Sequence, residues 1–170
     1  LEDPDPSVRR VAVQTMATVA PKCDEKALEA IARRLEHQDS HIQLGALQAI
    51  AAVAPKGHVN ALEAIARRLE HEDANVRQVA VRAMPQVALE GDEQAFETIA
   101  RRLEHLEEVV REAAMSAMDK VGSKGDAKAV EAISRRLEHA DLFVRCAAVQ
   151  ALTRSAPKGN EDAKQAIARR

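Results

Sequence analysis

Residues 33–37 read Arg33, Arg34, Leu35, Glu36, His37, and the same five residue types return at 67–71, 101–105 and 135–139. The interval is 34 residues each time, which is a repeat length and not a chance recurrence. Rows opened at Leu1, Leu35, Leu69, Leu103 and Leu137 divide the chain into five copies, 1–34, 35–68, 69–102, 103–136 and 137–170, without insertion or deletion. Each row begins Leu-Glu. One column holds Ala12, Ala46, Ala80, Ala114 and Ala148, and another holds Ile31, Ile65, Ile99, Ile133 and Ile167.

Two helices fit into each row. The first follows an acidic N-cap (Asp5, Asp39, Asp73, Glu107, Asp141), and a branched residue comes three positions later (Val8, Ile42, Val76, Val110, Val144). In the second row Ile42, Ala46, Ala49, Ile50 and Val53 fall at the i, i+4, i+7, i+8, i+11 spacing of one helix face. A Pro-Lys-Gly turn, Pro55 to Gly57 in that row, ends the helix, because proline cannot continue it and glycine accepts a left-handed backbone. The second helix starts at Asp24, Asp92, Asp126 or Asn160 and in the first copy buries Ala27, Leu28, Ile31 and Leu35. Connections this short make neighbouring helices antiparallel. Each hairpin then has an apolar face that only another hairpin can cover. The expectation is an all-α solenoid of about ten helices, residues 1–170 forming a single array.

Composition agrees. Aromatic residues are 1% of the chain, with no Trp or Tyr, so the core must come from Ala, Val, Leu, Ile and Met, which suit closely spaced helices. The 25 basic and 27 acidic residues leave a net charge of −2, which supplies no bulk attraction to nucleic acid or an anionic membrane. No apolar run of about 18 residues exists to span a bilayer, and the N-terminus lacks the order of a secretory signal. Cys23 and Cys146 stand in the first and last rows, too far apart for a disulfide, so free thiols and an intracellular, cytoplasmic setting are expected. The start at Leu1 suits a fragment of a longer protein.

The unit Asp-x-x-Val-Arg-x-x-Ala, present as Asp5 to Ala12, Asp73 to Ala80 and Asp141 to Ala148, resembles the short HEAT-like repeats of bilin-lyase-related and scaffold proteins. The resemblance covers all five rows. Row two departs from it with Gln43 in the arginine column, and row four with Glu107 in the aspartate column. A tetratricopeptide array shares the period but places large aromatics at its helix contacts, where this chain has none. The HEAT resemblance implies a structural inter-repeat ladder formed by Asp5/Arg9, Asp73/Arg77 and Asp141/Arg145. It implies a binding scaffold more than an enzyme, and bilin transfer has no support beyond the fold.

Candidates for chemistry thin out on inspection. His37, His71, His105 and His139 share one column, but helices pack about 8–10 Å apart whereas metal ligands must all lie within about 2.1 Å of the ion. Their expected role is capping the last carbonyls of the helix they follow. The paired arginines 33/34, 67/68, 101/102, 135/136 and 169/170 form two basic columns. Glu29, Glu63, Glu97 and Glu131 stand four residues before the first four pairs and Glu36, Glu70, Glu104 and Glu138 follow them, so a neutralised, solvated salt-bridge face is expected. Nucleic-acid binding is the weaker alternative, without aromatics for base stacking. No cofactor, metal or catalytic constellation is called for, and Cys146 has no histidine at nucleophile spacing.

Rows disagree chiefly on one face of the first helix, where packing does not dictate the residue. That face carries the expected partner site: Leu44, Gln48, Gln78, Arg82, Leu106, Val109, Glu112, Leu142, Phe143 and Cys146. Leu106, Val109, Leu142 and Phe143 form an apolar cluster that favours a protein partner or array-to-array contact. Val8, Val11 and Val13 leave an apolar N-terminal face, a second candidate for self-association. At the other end Ser155 and Lys164 replace apolar residues of their columns and are expected to face solvent. Pro85 is expected to bend the third first-helix in its last turn.

Overall fold

The computed structural model describes residues 3–19 and 24–156. Among them are nine α-helices and no strand: α1 (Pro6–Val19), α2 (Glu25–Leu35), α3 (Ser40–Val53), α4 (Val59–Arg67), α5 (Ala74–Val87), α6 (Glu93–Ala100), α7 (Glu108–Val121), α8 (Ala127–Ser134) and α9 (Leu142–Ser155). Odd-numbered helices are the first helices of the five rows, and the even-numbered ones are second helices of the first four. Cys23, Asn160 and Lys164 lie outside the described residues. Two compact units are present, Leu1–Ala88 and Leu89–Arg170, divided between the helices of the third row.

Each start is chemically marked. Asp39, Asp73 and Asp141 each accept the backbone N–H two residues on, at 2.7–2.8 Å, and Asp24, Asp92 and Asp126 each accept two such N–H groups. In the second row His58 takes that place, its Nδ1 accepting the Ala61 N–H at 3.2 Å. Glu107 caps nothing with its side chain, since its longer stem overshoots the helix N–H groups. Gly57, Gly91 and Gly125 adopt φ of 79°, 65° and 85°, the left-handed turn that glycine permits. The Gly57 N–H donates to Val87 O at 2.6 Å, and the Gly125 N–H to Ser155 O at 2.8 Å, so the turn of one repeat is tied to the next first-helix end. Ser155, which accepts that bond through its carbonyl, is buried, contrary to its expected solvent exposure. Pro85 does not shorten α5, which runs 14 residues like α3, α7 and α9.

The repeat columns are the core. Ala46, Ala80, Ala114 and Ala148, and Ile31, Ile65, Ile99 and Ile133, are all completely shielded from solvent. In the first unit α3 packs on α1, α2 and α5; in the second α7 packs on α9, and α8 on α6.

The charged columns differ from expectation in two ways. The Asp/Arg motif acts mainly within its own repeat, although the Arg9 charge also reaches Asp39 of the next repeat. Arg77 Nη1 donates to His71 O and Glu72 O at 2.6 and 2.7 Å, and Arg9, Arg111 and Arg145 make the same pair of bonds five and six residues back. Each guanidinium therefore fastens the loop before its own helix, while the aspartate is occupied by that helix's N-terminus. Gln43 keeps one of these bonds, to His37 O. A firmer link between repeats comes from second arginines of the pairs, Arg68 and Arg136. Arg68, Arg102 and Arg136 are 6–9% exposed, not solvated. Arg68 pairs with Glu36; Arg136 pairs with Glu104 at 2.8 Å and Glu97 at 2.7 Å. Only the first arginines match the expected solvated face, with Arg67 and Arg135 side chains half or more exposed.

The histidine column also acts otherwise than expected. Nδ1 of His37, His71, His105 and His139 accepts the N–H of residue i+2, at 3.0–3.1 Å, so each ring caps the helix that follows it. The ring is thus set by the next N-cap and not by the preceding helix's carbonyls. An accepting Nδ1 places the ring hydrogen on Nε2.

Two departures from the columns compensate one another. Phe96 stands where other rows have Leu28, Leu62 and Val130, and Gly122 stands where they have Ala54, Ala88 and Ala156. A Cβ at Gly122 would lie 3.2 Å from the Phe96 ring, which is fully buried and cannot swing away. Gly122→Ala is therefore expected to cost about 1 kcal/mol net in urea unfolding, overpacking of about 1–3 kcal/mol outweighing an entropic gain of about 0.4–1. In a Phe96→Leu background the same change should become neutral or stabilising; equal costs in both backgrounds would show no coupling. A second expectation concerns Glu97, whose carboxyl is held below the usual range by hydrogen bonds from Arg136 and the charge of Arg135, against partial burial. A carboxyl whose value is depressed in the fold contributes stability above its ordinary value of about 4.3, and that contribution is lost as pH falls through the folded value. Glu97→Gln should lower stability near pH 7 by about 1–3 kcal/mol and flatten the loss on acidification, read from unfolding curves across a pH series.

Candidate functional site

After the scaffold has used its charges, the variable face is what remains. In the first unit Gln48, Gln78 and Arg82 are exposed and Leu44 is half-buried, while Ala51, between Gln48 and the end of α3, is buried. Side chains at Arg10 and Gln14 lie outside the described residues.

The second unit gathers the other six candidates. Helices α7 and α9 start side by side in register, so Val109 and Phe143 occupy the same position in successive repeats. Leu106 is 88% exposed, Phe143 67%, Leu142 59% and Val109 48%. These four do not tuck between helices, because the inward positions of the same turns are already filled by Val110 and Val144. Arg111 organises the cluster. Its Nη1 donates to Leu106 O at 2.6 Å, and its Cζ lies 5.9 Å from the centroid of the Phe143 ring, a cation–π distance. Cys146, an exposed free thiol one turn along α9, lines a cavity of about 380 Å3 with Leu137, Arg145, Val149 and Gln150.

Toward the other ends of the same helices, Arg154 bonds Asp119 at 2.7 Å and Glu112 at 3.4 Å. This pair was missed in the sequence. Its signal is opposite charge in neighbouring variable columns, one repeat plus one residue apart. Another missed contact is His58 Nε2 to Glu25 at 3.2 Å, which joins α4 to α2. The charge of Arg154 is balanced by these two carboxylates, so the phosphate-binding potential of this end is small. Among the described residues no three His, Cys, Asp or Glu side chains are placed to hold a metal, and no helix is long and apolar enough to cross a membrane.

Known proteins show the same repeat. A family model described as HEAT repeats matches residues 1–84 and 62–153. Among curated proteins none matches the sequence. An engineered protein of known crystal structure is 22% identical with a TM-score of 0.53, the match covering 99% of this chain and 81% of that one. A designed armadillo repeat protein in complex with peptide (KR)4 is 19% identical with a TM-score of 0.50, covering 99% and 83%. An archaeal HEAT-like repeat protein from Thermococcus onnurineus NA1 is 15% identical with a TM-score of 0.46, covering 97% and 65%. At these identities the structural likeness speaks to fold alone, but the family model spans both units from residue 1 to residue 153. With its 34-residue period and its stacked helical hairpins, the chain belongs to the HEAT-repeat family.

Proposed function

We propose that this chain is a non-catalytic scaffold that binds a protein partner through the apolar cluster at the starts of α7 and α9. The observation that carries the reading is the exposure of four large apolar side chains, Leu106, Val109, Leu142 and Phe143, at positions where the repeat demands no burial. Exposed apolar area of this kind is costly in water unless a partner covers it. The exposed variable residues beside the cluster, Glu112 and Cys146, supply polar contacts that set specificity more than affinity. HEAT and armadillo repeats are scaffolds, and one structural neighbour is a designed armadillo protein holding a peptide.

Leu142→Glu with Phe143→Glu leaves the buried columns untouched and should preserve the helical circular dichroism and melting temperature. Capture of partner proteins on the immobilised chain, read by mass spectrometry, is expected to fall at least about tenfold in this variant, the loss of one apolar anchor being about 1–3 kcal/mol. Unchanged capture would remove the cluster from the binding surface.

A further inference from the structure

The charge around the apolar cluster says which kind of partner fits it. Glu107 and Glu108, in the loop and first turn of α7, and Glu112, one turn further, are exposed, and Glu107 makes no side-chain cap to its own helix. The two cations of the same region are withdrawn. Arg111 is 8% exposed beneath Phe143, with Nη1 bonded to His105 O and Leu106 O; Arg145 is half-buried and bonded to His139 O and Ala140 O. The next cation along α7, Lys120, stands eleven residues beyond Val109, roughly 16 Å at 1.5 Å per residue and about two screening lengths at physiological salt. Arg154 of α9 is turned to Glu112, 3.4 Å away, and to Asp119, so Glu107 and Glu108 are the carboxylates left beside the cluster. The helix N-termini add partial positive charge of about half a unit each, which the carboxylates of Glu107, Glu108 and the capping Asp141 outweigh.

The corresponding turns of the first unit carry no such combination. Gln38, Asp39, Ser40 and His41, and Glu72, Asp73, Ala74 and Asn75, are polar or small. Compared with the starts of α3 and α5, those of α7 and α9 therefore combine large exposed apolar residues with an acidic border.

Resting on the docking reading above, we infer that the occupant of this surface is a short peptide segment of a partner protein in which one or two large apolar residues are flanked by lysine or arginine. The apolar side chains cover Phe143, Leu142 and Leu106, and the flanking cations meet Glu107 and Glu108. Nucleic acid and anionic lipid are disfavoured by the same carboxylates, and an acidic apolar segment is repelled.

A random peptide library displayed on phage, selected on the immobilised full chain and counter-selected on a Phe143→Ser variant, tests this directly. A Leu106→Ser variant provides a second control that touches no buried residue. The expected result is enrichment of peptides with apolar residues flanked by Lys or Arg. As fluorescein-labelled synthetic peptides, these should bind about tenfold more weakly to a Glu107→Lys/Glu108→Lys variant and lose affinity with rising salt. Enriched peptides that depend on Phe143 but show no basic bias, or bind the charge-reversed variant equally, overturn the basic partner and leave the docking surface standing. No enrichment over the Phe143→Ser control overturns both. Concentration-dependent dimerisation of the chain, abolished by Phe143→Ser in sedimentation velocity, would assign the surface to a second copy instead.

Discussion

Ala46, Ala80, Ala114 and Ala148 are the points on which the fold rests, because at each of them a first helix is packed so closely that no solvent reaches the methyl group. Nothing larger fits the column, and nothing smaller keeps a helix as well. A hairpin of this design has no core of its own. Its apolar stripe becomes interior only when another hairpin lies against it, so stability is distributed along the chain as nearest-neighbour contacts. The turn glycines and the second arginines then tie neighbouring repeats at their margins. They fix register; the alanine and isoleucine columns supply most of the burial.

Much of this could be read from the rows alone, since burial columns repeat every 34 residues and caps are local. Asp39, Asp73 and Asp141 were legible as N-caps because a cap joins residues two positions apart. Arg68 and Arg136 were not legible as buried. Glutamates four residues before their neighbours and two residues after them offered an adequate local explanation, and the partners that decide their environment, Glu36 and Glu104, lie 32 residues away. The histidines failed for a related reason. A ring between two helices can serve the end of one or the start of the next, and only the geometry of the bend selects the latter. Phe96 and Gly122 were each visible as departures from their columns, but their compensation was not, because 26 residues of sequence separate two atoms that pack at van der Waals distance.

The candidate surface shows the opposite bias. Leu106, Val109, Leu142 and Phe143 were identified by what they fail to do for the repeat, and the structure leaves them exposed. What the rows could not show was that their neighbours' positive charges are internal. Arg111 and Arg145 look in sequence like surface cations that would offset Glu107, Glu108 and Glu112. Bonded to loop carbonyls, they instead belong to the frame, and the border of the cluster is acidic.

Arg111 joins these two accounts. In every row but the second an arginine in this column fastens the loop before its helix, and that structural duty is complete without any aromatic ring nearby. In the fourth row the same guanidinium also supports Phe143 from the following repeat, at 5.9 Å. A ring resting on a fixed planar cation loses little rotamer freedom when a partner covers it, so less of the binding energy is spent on ordering it. A single residue choice at a position the fold leaves free has thus made a rigid apolar anchor out of a loop fastener. Recognition can arise this way in a repeat protein without disturbing any buried column. The starts of α3 and α5 show the contrast: Gln43 and Arg77 fasten their loops there, but His41 and Asn75, at the position of Phe143, are polar.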